Sequence, residues 1–240
     1  MGSKPRFGFV SPAPHPDPAD WKPYSNIGLR YRTRLCNLTG LQELAEETIE
    51  VYHILRNLMA EKHSTSSSQK MGITKEEFES YTDQLMHQLI NIVQYKVPES
   101  PNQNALIFGL FGHAALAHVT TFICNPARRG SVLELMSTRI RASLEVIDVR
   151  SFQVAYPEMM LWIIMVGGLA GTGTDNQGWF AELLSESCLA AGINRMAELA
   201  LFLSEFLWSG SYLGPVCKEF WDDVAAAQAI KAGNEMNSGD

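Results

Sequence analysis

Cysteine is scarce in this sequence and poorly placed for metal chemistry. Its four residues, Cys36, Cys124, Cys188 and Cys217, stand 88, 64 and 29 positions apart, whereas zinc sites draw ligands from pairs only a few residues apart. That spacing excludes a zinc finger or a zinc cluster. Also lacking is a cationic start followed by a short apolar core, the mark of a secretory leader, so the expected setting is a reducing compartment. A basic excess is missing too, with 19 Lys and Arg against 26 Asp and Glu. Through Ala170 there are sixteen of each, while residues 171–240 carry ten acids and three bases. That end of the molecule should repel nucleic acid.

Catalytic constellations are lacking as well. No serine stands in the glycine frame of a nucleophile elbow. His113 and His118 are five residues apart, which on a helix turns them about 140° from each other, so they cannot chelate one metal together. Each reads as a buried core histidine, or alternatively as a polar anchor in a ligand pocket. Asp222-Asp223 resembles the diphosphate-binding acids of helical terpene cyclases, but Ala226 stands where a third acid is needed, and the pair reads as a solvated face. No catalytic residue, metal or cofactor is predicted.

The most glycine-dense stretch is "GGLAGTGTDNQGWF", residues 167–180. A phosphate loop needs backbone N–H groups converging on one point and a lysine for the terminal phosphates. Thr174 occupies the lysine position and Asp175 follows it, while Asn176 replaces the last glycine of the dinucleotide fingerprint. The stretch therefore reads as a corner between helices, with Gly171 or Gly173 stopping one and Thr174-x-x-Gln177 boxing the start of the next.

What is present is helical period over most of a chain that is 46% apolar, enough for a substantial core. Residues 1–38 read as a proline-rich, disordered arm ("SPAPHPDPADW") and a short extended segment with Arg30, Arg32 and Arg34 on one face. Residues 39–232 read as one all-α domain of about eight helices, and 233–240 as a disordered tail. The first helix enters through Thr39-x-x-Gln42 and buries Tyr52, Leu55 and Met59; the second is capped by Thr74-x-x-Glu77. Serines 64 and 66–68 lie in a polar linker between them. Residues 105–124 contain no formal charge over twenty positions, the length of a membrane span. His113, His118 and the following threonines favour a buried core helix instead, and no membrane partner is expected. Further helices are predicted at 131–149, 157–168, 175–191 (ended by Gly192), 195–208 and 215–231. The densest basic groups, Arg128-Arg129 and Arg139 with Arg141, lack interleaved aromatics and read as surface or ion-pair partners.

The run Pro157-Glu158-Met-Met-Leu161-Trp162-Ile-Ile, followed by Gly167-Gly168, Trp179-Phe180, Phe206-Leu207-Trp208 and Phe220-Trp221, resembles the regulatory region of fungal-specific transcription factors. The resemblance covers roughly residues 80–225, and the family's cysteine-rich zinc binuclear cluster is absent from this sequence. It implies a helical domain in the nucleus, alternatively the cytoplasm, that senses a small-molecule effector or a protein partner of the transcription machinery. It also implies that DNA is contacted elsewhere and leaves room for a homodimer. Independently of it, Trp162, Trp179, Trp208 and Trp221 read as core residues, since large rings fill a helical interior. Two rival readings use the same features: a helical-bundle enzyme acting on an apolar small molecule, and a structural dimerisation module.

Overall fold

The computed structural model describes residues 103–123, 130–204, 206–209 and 212–237, together with individual positions between 51 and 90. The arm and extended segment of 1–38, both early capping boxes, the serine linker and Arg128-Arg129 lie outside the described residues. Tyr52, Leu55 and Met59 are helical and buried, as their spacing predicts. Seven helices can be bounded: α1 (Gln103–His118), α2 (Gly130–Leu144), α3 (Val149–Ala155), α4 (Pro157–Ala170), α5 (Asn176–Ala190), α6 (Met196–Ser204) and α7 (Pro215–Asn237). One turn of π-helix, Val119–Ile123, extends α1. There is no strand among the described residues, and the chain is an all-α single domain.

Helix α4 is the centre of the fold. Its sequence, PEMMLWIIMVGGLA, offers no polar face, and every residue from Glu158 to Ala170 is buried. A helix apolar all round must be enclosed on all sides, and α4 touches each of the other six bounded helices. Pro157 starts it, lacking only an N–H that the first turn would leave unused. The same proline pushes Tyr156 out of helical geometry (φ −139°, ψ 61°), which separates α4 from α3.

Small residues let the neighbours come close. A Cβ on Gly167 would lie 2.6 Å from the Phe180 ring on α5, one on Gly168 2.1 Å from Cζ of Phe220 on α7, and one on Gly171 2.5 Å from Oγ of Ser137 on α2. Ser137 in turn donates to the Gly167 carbonyl at 2.9 Å, which satisfies a buried hydroxyl. Thus one end of α4 accepts a side chain from each of three helices directly against its backbone.

Several boundaries differ from expectation. The helix predicted over 131–149 stops at Leu144, and a separate α3 begins because Asp148 caps it: the carboxylate accepts from the Ser151 N–H at 3.1 Å and from its hydroxyl at 2.6 Å. Helix α6 ends at Ser204 rather than 208. Phe206, Leu207 and Trp208 are all buried, and three consecutive inward side chains do not fit a helix whose outer face, at Leu201, is 71% exposed. Trp208 is therefore in the core but on no helix. Helix α7 runs to Asn237, into the stretch expected to be disordered from 233. Its alanine-rich middle favours helix, and Lys231 pairs with Glu186 of α5.

Of the four tryptophans expected in the core, Trp162, Trp208 and Trp221 are buried. Trp179 is a correction, because it is only partly buried against the core. One face of its ring lies under the Arg141 guanidinium, 5.2 Å from the centroid, and the charge keeps that face near water. The uncharged stretch of residues 105–124 contains a span-length window, Leu106–Ile123, of which 83% is buried inside the fold.

Two glycine substitutions separate close packing from backbone conformation. Gly168→Ala should cost about 1–3 kcal/mol, because the Phe220 ring has to move. Gly173→Ala, at φ +78° with open space around it, should cost about 1–2 kcal/mol from the left-handed backbone alone. Urea unfolding measures both, and a parental midpoint for Gly168→Ala would contradict the packing described.

Candidate functional site

The glycine corner between α4 and α5 is a closed hydrogen-bond circuit. The Gly171 N–H donates to the carbonyls of Gly167 and Gly168, the Thr172 N–H to Leu169, and the Thr174 N–H to Gly171. The Gly173 N–H donates to Oε1 of Gln177 at 2.7 Å, and the Asn176 N–H to Oγ1 of Thr174 at 3.3 Å. These amides are spent inside the turn, so they are not aimed at a ligand as a phosphate cradle requires. The expected capping box is displaced by one residue: Gln177 reaches back to Gly173 instead of Thr174, and Asp175 is the N-cap without a side-chain bond. Gly173, not Gly171, holds the left-handed conformation. Behind the corner, Asn176 donates to Thr138 at 3.1 Å and accepts from Arg141 at 3.3 Å, which ties α5 to α2.

The polar chemistry of the interior gathers instead where α1 passes into its π turn. His118 is fully buried, and its Nδ1 accepts the indole N–H of Trp162 at 3.3 Å. That bond assigns the imidazole proton to Nε2. The His118 ring lies 5.1 Å from Phe122, 5.4 Å from Tyr212 and 5.6 Å from Trp162, centroid to centroid. Phe122 stacks on Tyr212 at 4.1 Å with 17° between the planes, and Trp208 stands edge-on to both at 5.5 Å. Phe111 and Phe206 flank Trp162 at 5.7 and 5.4 Å.

Among the described residues, the buried Trp208 indole N–H and the buried Tyr212 hydroxyl have no hydrogen-bond partner. A buried donor left unmatched costs about 1–3 kcal/mol. Burial also pushes the Tyr212 phenol well up from its ordinary value, so it stays protonated and able to donate. The π turn is held by Thr120, whose hydroxyl donates to the Leu116 carbonyl at 2.8 Å. Extra residues in a helix are frequent where a side chain must be re-aimed at a site, and here the turn carries Phe122.

His113 lies elsewhere. It is 8% exposed, and neither ring nitrogen has a hydrogen-bond partner. Burial, and secondarily the Arg139 charge, hold its pKa down at about 4. The Gly109 carbonyl one turn back offsets part of this without reaching hydrogen-bond geometry. The two histidines therefore do not act together: His118 joins Trp162 and the Phe122–Tyr212 stack, while His113 feels Arg139 of α2.

Other groups are less suited to chemistry. Cys188 and Cys217 are buried free thiols whose pKa values burial pushes up to about 12 and about 11, so the thiolate is not formed near neutrality. Asp222 and Asp223 are exposed, and Asp223 accepts from Gln177 at 2.6 Å. Among the described residues no three His, Cys, Asp or Glu side chains form a metal-holding group.

Sequence reasoning had picked out His118, Trp162 and Trp208 but missed Phe122, Phe206 and Tyr212 as their partners. Phe111, His118 and Phe122, spaced seven and four apart, were open to recognition as one helical stripe. Tyr212 stands between helices, where no periodicity marks it. Compared with known proteins, the chain matches no family model, no curated protein and no solved structure.

The His113 environment predicts a pH dependence of stability. The unfolded ring takes a proton near pH 6.5 and the folded ring near pH 4, so acidification between those values favours the unfolded chain. The loss reaches on the order of 3 kcal/mol. His113→Leu should remove this part of the slope, leaving the variant relatively more stable at pH 4.5 than at pH 7 when the two are compared by urea unfolding. Parallel stability profiles would contradict the buried neutral imidazole.

Proposed function

We propose that the chain is a regulatory domain of the kind that fungal transcription factors carry, restraining or releasing activation in response to a small-molecule effector. In this reading it acts in the nucleus, meets protein partners of the transcription machinery, and leaves DNA contact to another module. The supporting observation is spatial. The motif pieces that carry the family resemblance are scattered over 65 positions from Pro157 to Trp221, yet they meet around one helix. Gly167 and Gly168 of α4 receive Phe180 and Phe220, and Trp162 packs on Phe206.

The charge distribution supports leaving DNA to another module, since residues 171–240 carry ten acids and three bases. Sequence-specific binding relies on Lys and Arg releasing counterions from phosphates. The isolated chain should bind duplex DNA no tighter than about 10⁻⁴–10⁻⁶ M at physiological salt, the nonspecific range. An anisotropy titration giving nanomolar affinity for one site over scrambled competitors would refute that assignment.

Restraint is tested directly by inserting the chain between an unrelated DNA-binding module and an activation segment. Reporter output should fall relative to the same fusion without the chain, and Trp162→Ala, which removes the centre of the core, should restore it. Equal output with and without the chain would overturn the regulatory reading.

A further inference from the structure

Ser131, the second residue of α2, stands in a sequence pattern that the core does not use. In the chain, Arg128 and Arg129 lie three and two positions before it, and Val132 follows it. Protein kinases choose among hydroxyls by such flanking patterns of charge. Guanidinium groups upstream pair bidentately with carboxylates in an enzyme's peptide groove, and an apolar residue just downstream fills a pocket beside it.

The structure presents this hydroxyl at the surface. Gly130 and Ser131 are exposed, Val132 keeps 41% of its surface in water although it is apolar, and the space around Gly130 is open. Ser131 belongs to the terminal turn, where a helix leaves its N–H groups unmatched and frays at small cost. A second arginine pair gives the contrast. Arg139 and Arg141 precede Ser143 by four and two positions, but Ser143 is inside α2 and its hydroxyl donates to the Arg139 carbonyl at 3.0 Å. Leu144, the next residue, is 2% exposed. A groove that takes an extended chain reaches Ser143 only by drawing Leu144 out of the core, which forfeits its apolar burial.

We propose that Ser131 is a phosphorylation site for a kinase selective for basic sequences. In the transfer, the Ser131 Oγ attacks the γ-phosphorus of ATP, the bond from that phosphorus to the bridging oxygen breaks, ADP leaves, and the hydroxyl proton passes to the kinase's aspartate. The product adds about −1.5 to −2 charge at neutral pH. That charge arrives at the N-terminus of α2, whose first turn has no acidic residue and where the helix dipole favours an anion. Glu134, one turn on, is exposed, and water screens its repulsion. The modified chain therefore keeps its fold, with Ser137 and Ile140 of α2 still against Gly171 and Gly167. Phosphorylation here requires nothing of the regulatory role proposed above.

The test is incubation of the full chain with the catalytic subunit of cAMP-dependent protein kinase and magnesium ATP, read by intact mass and peptide mapping. One phosphoryl group per chain is expected, on Ser131. Ser131→Ala should take up none, and Ser143→Ala should be labelled as the parent is. The double variant Arg128→Gln with Arg129→Gln should lose about tenfold or more in kcat/KM, the effect of removing charge-assisted contacts. The thermal midpoint of the phosphorylated parent should equal or exceed that of the unmodified chain. No incorporation, incorporation elsewhere while Ser131 stays unmodified, full-rate labelling of the double variant, or a midpoint lowered by phosphorylation would each overturn the proposal. Should a variant not fold, the mapped position and the midpoint of the parent chain still decide. Failure to label Ser131 leaves restraint in the reporter assay standing, whereas lost restraint leaves a mapped phosphorylation site intact.

Discussion

The ring of Phe220 occupies the space in which a side chain at position 168 would begin, and most of the architecture follows from that approach. Helix α4 has no face to give to water, so its stability comes only from being enclosed. Bringing α7 against its backbone closes one side, Phe180 of α5 closes another, and Ser137 and Ile140 of α2 close a third. Gly167, Gly168 and Gly171 would be poor helix residues by propensity. They are tolerated here because the dispersion gained by a ring lying on bare backbone exceeds what a methyl group could supply.

The interior divides into two kinds of packing. Around the glycines it is aliphatic and aromatic contact with one satisfied hydroxyl, Ser137 on the Gly167 carbonyl. Around His118 it is a mixed set of rings with polar tips, of which the Trp162 to His118 bond is matched and the Trp208 and Tyr212 donors are not. Buried polar networks are costly when incomplete, so the second region is the softer one. It is also where α1 departs from α-helical geometry. The tightest packing and the incompletely matched polar groups thus lie at different levels of the same helix.

Legibility from sequence followed the same division. Where the pattern was local, it was readable: the uncharged run through residues 105–124, Pro157 at the start of α4, and Gly192 in the left-handed conformation after α5. Gly173 was readable as a corner residue, but its box partner was not, since Thr174 and Gln177 satisfy the box spacing while Gln177 bonds one residue earlier. Asp148 was hidden because the periodicity of α2 continues across it, and a cap competes with a helix only through side-chain geometry. Trp208 lies in the core as expected, although α6 ends before it, whereas Trp179 is only partly buried. Both were expected to fill the interior as large rings near helix ends, and Trp179 instead keeps a face beside Arg141. The tail expected to be disordered from 233 was misjudged, since α7 passes through Gly233, which is exposed and helical.

The order of synthesis gives α4 a particular exposure. Phe220 is made 52 residues after Gly168, and chains are elongated at about 5–20 residues per second. For some 3–10 seconds on that rate, a helix with no polar face exists without the ring that covers its glycines. During that interval its natural contacts are whatever apolar surface is nearest, including another nascent copy or a chaperone. The residues that make the finished core so tightly closed are the ones that make its unfinished form adhesive.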